Sequence, residues 1–250
     1  MNTLSTQTEH SPLLAVADLN AWYGAAHILH SVSLQVSRGQ VLALMGRNGA
    51  GKSTTLKSIM GLVPQRRGNL HFMGRSLVGL LPYQCARLGL GYVPEDRRLF
   101  TELTVLENLE TGRQAPRHWP DGTPALNWTL ADVFDLFPAL GAMQNRPAGA
   151  MSGGEQQMLA VARTLMGNPY LLLLDEPSEG VAPVIVEQMA HMILNLKARG
   201  VSILLSEQNI HFAQWVSDQV CVLEKGVVRF SGSMEELDDA PDIKREYLAL

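Results

Sequence analysis

Along the chain, short unbroken apolar runs alternate with stretches in which apolar positions recur every three or four residues. Val41-Leu42-Ala43-Leu44-Met45 is the clearest run. It ends at Gly46 and predicts a strand buried on both faces, as in a parallel sheet. Thr54–Met60 follows with helical spacing and stops at Gly61. Further strands are predicted at Asn69–Phe72, Leu90–Val93, Leu171–Leu174, Val201–Leu205, Gln219–Leu223 and Val227–Phe230, with Glu224-Lys225-Gly226 as a tight turn between the last two. Helices are predicted at Glu155–Met166, before Gly167-Asn168-Pro169, and at Val184–Ala198, with Pro183 in front and Gly200 behind. Strands alternating with helices predict a mostly parallel sheet with crossover connections.

The stretch from Glu95 to Met151 breaks that rhythm. It holds an apolar segment at Leu103–Leu109, a Pro-rich loop from Gln114 to Pro124, and a predicted helix at Leu130–Phe137 capped by Thr129 with Asp132. These features read as a helical subdomain inserted into an α/β core.

Composition narrows the class. The 250 residues are 46% apolar, enough for one large domain with a sizeable core. A net charge of −4 without long Lys or Arg runs argues against an extended nucleic-acid surface. Cys85 and Cys221 lie far apart in no metal or redox spacing, and are expected to be small core residues in a reducing compartment. No segment approaches the ~20 apolar residues of a membrane helix. Met1–Ser11 is polar, without the basic flank or apolar stretch of a signal peptide, and reads as a frayed tail. The chain is therefore expected to be cytosolic, reaching any membrane through a partner.

Gly46-Arg47-Asn48-Gly49-Ala50-Gly51-Lys52-Ser53, continued by Thr54, is a complete G-x-x-x-x-G-K-[ST] loop between a buried strand and a helix. Its glycines let backbone N–H groups turn onto phosphate oxygens, and the helix N-terminus adds its dipole. Lys52 is expected to reach the β- and γ-phosphates of ATP, and the Ser53 hydroxyl to bind Mg²⁺. Asp175 and Glu176 end the strand at Leu171–Leu174, at the edge where α/β sheets place their ligands. Asp175 is expected in the Mg²⁺ shell and Glu176 beside the attacking water.

Met151-Ser152-Gly153-Gly154-Glu155-Gln156-Gln157 lies just upstream and opens a helix, a second anion-binding surface. It resembles the signature sequence of ABC ATPases, with Met151 where Leu is usual. The resemblance covers the chain after residue 12. It implies a P-loop NTPase core with a RecA-like, mostly parallel sheet, an N-terminal antiparallel β part and an inserted α-helical subdomain. The implied core spans 12–94 and 156–250, the helical subdomain 95–155, and the tail 1–11.

In that family, Ser152 to Glu155 would close over a nucleotide in a facing subunit, so that two subunits sandwich two ATPs head to tail. Tyr23 stands where an aromatic ring packs on adenine. Ser178-Glu179-Gly180-Val181 occupies the loop that crosses to the partner, but lacks the usual terminal acid. Glu95 takes the place of a glutamine that binds Mg²⁺, and Gln208 the place of a switch histidine. Gln208 can donate a neutral hydrogen bond to the γ-phosphate but cannot carry a proton.

Both departures, with Glu95-Asp96-Arg97-Arg98 and Glu207-Gln208-Asn209, resemble the second ATPase subunit of branched-chain amino acid uptake systems, relatives of urea and amide importers. That likeness implies a non-identical partner ATPase, membrane-spanning permease subunits, an extracytoplasmic solute-binding protein, and a place at the cytoplasmic face of the inner membrane. The segment Gly91–Leu109 would form the groove for the permease, with Leu99, Phe100, Leu103, Val105 and Leu106 as candidate contacts. Phe100 is accordingly expected to be partly exposed. A chromosome-organising relative would need long heptad arms between Lys52 and Ser152, and the sequence there has none. The same two departures leave a non-hydrolysing nucleotide sensor as an alternative.

Overall fold

The computed structural model describes residues 11–248, so the expected tail, apart from Ser11, lies outside the described residues. β1 (Leu14–Tyr23) and β2 (Ala26–Val36) form an antiparallel hairpin, after which β3 (Val41–Met45) leads into α1 (Lys52–Ile59). β4 (Gln65–Phe72) returns to pair with β1, and β5 (Arg75–Ser76) pairs with β4. α2 (Pro82–Leu88) precedes β6 (Leu90–Val93). Next come α3 (Val105–Gly112), α4 (Leu130–Leu136), α5 (Pro138–Ala142) and α6 (Gly153–Leu165), and then β7 (Leu171–Asp175). α7 (Pro183–Ala198) connects to β8 (Ser202–Glu207), and α8 (Ile210–Val216) to β9 (Gln219–Glu224). β10 (Val227–Ser233), α9 (Met234–Asp238) and α10 (Pro241–Tyr247) complete the chain as described.

The strands form two sheets. One is antiparallel with order β2-β1-β4-β5, and the other has order β10-β9-β3-β8-β7-β6. Every pairing in the second is parallel except the β9–β10 hairpin. The fold is thus the expected P-loop NTPase type with an antiparallel part contributed by the N-terminal strands. The segment at Asn69–Phe72 starts earlier, at Gln65, and belongs to the antiparallel sheet.

The sequence explains the layering. Every residue of β3, β7 and β8 is buried, because helices or the second sheet cover both faces. One core fills the space between the sheets, with Leu14, Leu44, Leu56 and Phe72 fully buried. A second lies under α6 and α7, around Leu159, Val161, Ile193 and Leu205. Burial of each such side chain contributes about 1.5–3 kcal/mol. Cys85 and Cys221 are free thiols inside, as expected, and burial pushes both upward in pKa, Cys221 to about 12.

Caps set the helix limits. Thr104 accepts from Glu107 N and ends the irregular segment, so the apolar stretch expected from Leu103 becomes helical only at Val105. Thr129 and Asp132 form the anticipated reciprocal cap on α4. Buried Asn108 accepts from Phe100 N and donates to the carbonyls of Phe100, Leu103 and Thr104, which fixes the loop before α3. Phe100 itself is 54% exposed on that braced loop, in line with expectation, whereas Val105 is fully buried and unavailable as a surface contact.

Candidate nucleotide site

The loop between β3 and α1 curls around its own lysine. Lys52 Nζ donates to the carbonyls of Gly46 (2.8 Å) and Arg47 (3.2 Å) and is only 3% exposed. Gly46 has φ 154°, and a β-carbon there would stand 2.4 Å from the Leu223 carbonyl oxygen. Gly51 has φ 108°, and a β-carbon would meet Leu29 Cδ2 at 2.7 Å. Glycine is therefore required at Gly46 by backbone crowding as well as by conformation, and at Gly51 chiefly by its left-handed φ. α1 begins at Lys52 rather than Thr54, so Lys52 and Ser53 lie in its first turn, where backbone N–H groups lack intrahelical partners.

β8 separates β3 from β7, whose C-terminal acids therefore lie beside the loop on the same sheet edge. Asp175 Oδ1 accepts from Ser53 Oγ (2.8 Å) and Ser206 Oγ (2.6 Å), while Oδ2 accepts from Tyr92 OH (3.0 Å). Burial, with the neighbouring Asp175 charge, drives the Tyr92 phenol well above its usual range, so it stays a neutral donor. Glu176 has a left-handed backbone (φ 47°), and its N–H donates to both the carbonyl and hydroxyl of Ser206 at 3.1 Å. Its carboxylate lies 3.0 Å from Lys52 Nζ. Burial works against that charge, but hydrogen bonds from Glu179 and Lys52 outweigh it and hold Glu176 below the usual carboxylate range. Glu179 moves the other way, to about 7, through its hydrogen bond to Glu176, burial, and the charges of Glu176 and Glu95.

Ser53 Oγ and Asp175 Oδ1, 2.8 Å apart, form a hard oxygen pair of the kind Mg²⁺ takes when phosphates and waters fill its other positions. These residues fit the expected ion. Glu95 follows β6 on the same edge, exposed and, among the described residues, without a hydrogen bond or ion pair of its side chain. Gln208 is exposed just after β8, and its N–H donates to Glu207 Oε2. Tyr23 ends β1 and is 48% exposed.

The second glycine motif opens α6. Ser152 Oγ accepts from Glu155 N (3.3 Å), and Glu155 Oε2 accepts from Ser152 N (2.7 Å), so Ser152 caps α6, Glu155 completes the reciprocal cap, and these bonds keep Glu155 ionised. Ser152 and Gly153 are exposed. Gly154 is buried against Ile185, which a β-carbon would approach to 2.7 Å. Hydrogen bonds of this turn run within α6 and its cap, and none joins it to Lys52 or Glu176 among the described residues. Within one chain, then, the structure gathers Lys52, Ser53, Asp175 and Glu176 and leaves Ser152–Glu155 apart from them.

Four polar residues of this edge escaped the reading of the sequence as site members: Tyr92, Glu179, Ser206 and Glu207. Glu207 is buried and accepts from the N–H groups of Ser178, Gln208 and Asn209, which fixes both loops that flank the acid pair. Its burial raises its pKa, and those bonds oppose the rise. A polar Ser206-Glu207 pair ending an apolar strand was the one available signal.

A phosphate-cradling loop at the head of a helix, with a hydroxyl and an acid pair converging on its lysine, defines a P-loop nucleoside triphosphatase. Residues 29–179 match the ABC transporter family model, and the chain belongs to that family of ATP-binding ATPases. It is 39% identical to the high-affinity branched-chain amino acid transport ATP-binding protein BraG of Pseudomonas aeruginosa, over 94% of this chain and 99% of the relative. It is 32% identical to the lipopolysaccharide export system ATP-binding protein LptB of Acidithiobacillus ferridurans, over 95% and 97%. Among solved structures it is similar to the ADP conformation of an ATP-binding cassette of an ABC transporter, with TM-score 0.75 and 27% identity over 91% and 93% of the two chains. No helix among the described residues is long and apolar enough to cross a membrane.

Proposed function

We propose that this chain is the ATP-hydrolysing subunit of an importer for branched-chain or other hydrophobic amino acids. Convergence of Lys52, Ser53, Asp175 and Glu176 on one sheet edge carries the catalytic part of the reading. Backbone N–H groups from Gly46 to Thr54, together with Lys52, hold the phosphates of ATP, and Tyr23 packs against its adenine. Mg²⁺, held by Ser53, Asp175 and Glu95, neutralises phosphate charge when bound. Glu176, kept ionised, accepts the proton of the attacking water, a role worth about 10²–10⁴-fold in rate. Ser206 and Tyr92 orient Asp175, and the Glu176 carboxylate becomes free when Lys52 turns from it to phosphate. Gln208 donates to the γ-phosphate.

Ser152 to Gly154, on a turn that Glu155 holds in place, serve the nucleotide of a second, non-identical ATPase subunit arranged head to tail, since they do not face their own chain's loop. The inserted helical part, 95–155, carries them. The pair docks on membrane-spanning permeases at the cytoplasmic face of the inner membrane, and an extracytoplasmic binding protein delivers the solute. A groove of about 750 Å³ lined by Leu62, Tyr83, Phe100 and Arg163 offers apolar and charged contacts to a permease helix. The similarity to BraG supports amino-acid uptake. The similarity to LptB favours a second reading, an ATPase of lipopolysaccharide export.

Uptake assays with the assembled transporter in proteoliposomes test the amino-acid reading. ATP-dependent accumulation of labelled leucine, isoleucine or valine is expected. Accumulation of urea alone, or of none of these solutes, refutes the amino-acid assignment.

A further inference from the structure

Arg97 lies in the turn between β6 and α3 with a left-handed backbone (φ 59°), and Arg98 repeats that conformation (φ 50°). Two such residues in succession persist only where their surroundings enforce them, and they concentrate at functional sites. Here Arg163 Nη2 donates to the carbonyls of Arg97 (3.3 Å) and Arg98 (2.9 Å). The Arg97 side chain turns back onto α6, where Nε donates to Gln157 Oε1 (3.0 Å) and Nη1 to Gln156 Oε1 (3.4 Å). A β-carbon on Gly153 would stand 3.4 Å from Nη1 and 3.5 Å from Nη2, so the guanidinium lies flat against the first turn of the helix.

Charge bookkeeping at this tip is one-sided. Arg98 is paired with Asp96 at 3.0 Å, but Arg97 has no carboxylate within ion-pair distance among the described residues, and both its partners are neutral amides. Its positive charge is therefore held beside Ser152–Gly154 without a direct ion-pair partner among the described residues. The same turn carries the Glu155 carboxylate on the Ser152 N–H, a negative charge where an anion has to approach. Arg146 offsets part of it from the side of Glu155.

We propose that Arg97 is a nucleotide-contacting residue acting across the subunit boundary, completing the Ser152–Gly154 surface with a positive charge for the terminal phosphate of a nucleotide held in the facing subunit's loop. This rests on the two-subunit reading above. A guanidinium already oriented by two amides loses little freedom on contact, and charge-assisted bonds to phosphate are about twice as strong as neutral ones. Only a triphosphate presents the terminal group, so the contact favours ATP over ADP in the closed pair.

The test uses the assembled transporter with Glu176→Gln as parent and spectroscopic distance labels on its two ATPase subunits. Arg97→Ala is expected to raise the ATP concentration for half-maximal closure about tenfold or more and to weaken its dependence on salt. Arg97→Lys should recover part of the affinity and the salt dependence. ADP binding by the full chain alone should be the same with Arg97→Ala as without it. Closure of Arg97→Ala at the parent's ATP concentration overturns the assignment, as does a matching loss of ADP binding, which signals structural damage. If the parent itself fails to close on ATP, the two-subunit reading falls; if the parent closes and Arg97→Ala closes alike, only the arginine's role falls.

Discussion

Glu176→Gln removes one charge while preserving shape, and the buried contact with Lys52 makes its effects calculable. The two groups lie 3.0 Å apart and are nearly dry, with side-chain exposures of 3% and 9%. Their gross attraction is about 5 kcal/mol at an effective dielectric of 20, most of it offset by the cost of desolvating both ions. The glutamine oxygen still accepts from Lys52, so the net loss is about 1–2 kcal/mol in the nucleotide-free chain. For a chain of this size that lowers the Tm by about 2–8 °C. Lys52 then meets less competition for phosphate, and one negative charge fewer faces the nucleotide. ATP affinity should rise by about 5–30-fold, the same free energy seen from the bound side. Turnover should fall about 10²–10⁴-fold. Thermal melting without nucleotide, titration with labelled ATP, and phosphate release by the assembled transporter measure the three effects. Unchanged melting together with unchanged ATP affinity refutes the view that the ion pair holds the resting site, and turnover within a few-fold of wild type refutes Glu176 as the base.

Ser206→Ala deletes the hydroxyl that donates to Asp175 and accepts from the Glu176 N–H. It should cost about 1.5–3 kcal/mol in thermal or denaturant unfolding and raise the Mg²⁺ concentration needed for half-maximal hydrolysis. Glu179, raised from 4.5 to about 7, binds more protons folded than unfolded between those values. Its contribution to stability is full below pH 4.5 and is lost as the pH rises through about 7. Glu179→Gln should flatten that part of a Tm-against-pH curve for the nucleotide-free chain, and an unaltered curve would show that the carboxyl pair does not share a proton. Phe100→Glu changes a side chain that is 54% exposed, so the isolated chain should melt within about 0.5 kcal/mol of wild type while co-purification with the permease is lost. Retained co-purification would remove Phe100 from the docking surface.

Local signals made the phosphate cradle legible. Val41–Met45 and Leu90–Val93 read as strands with the limits they have, because continuous apolar runs have no other use in a parallel sheet. Asp175 and Glu176 were readable because they end such a run. β1 and β2 were not delineated: register shifts between Val16 and Trp22, with left-handed Asp18 and Ser31, interrupt the alternation that marks a half-buried strand. Tyr92 and Ser206 were missed as partners of Asp175 because they come from the two strands flanking β7, 83 and 31 residues away in sequence. No spacing rule reaches across a sheet in this way. Glu155 was legible as part of the signature turn, and the Ser152-x-x-Glu155 spacing is itself the pattern of the reciprocal cap that the two residues form.

The chemistry assigned to this sheet edge stands or falls with one measurement, phosphate release during leucine uptake by the reconstituted transporter carrying Lys52→Ala in this chain. Loss of both phosphate release and uptake, in a complex that still assembles, is the expected result. Undiminished uptake driven by ATP would contradict the claim that the cradle around Lys52 powers transport.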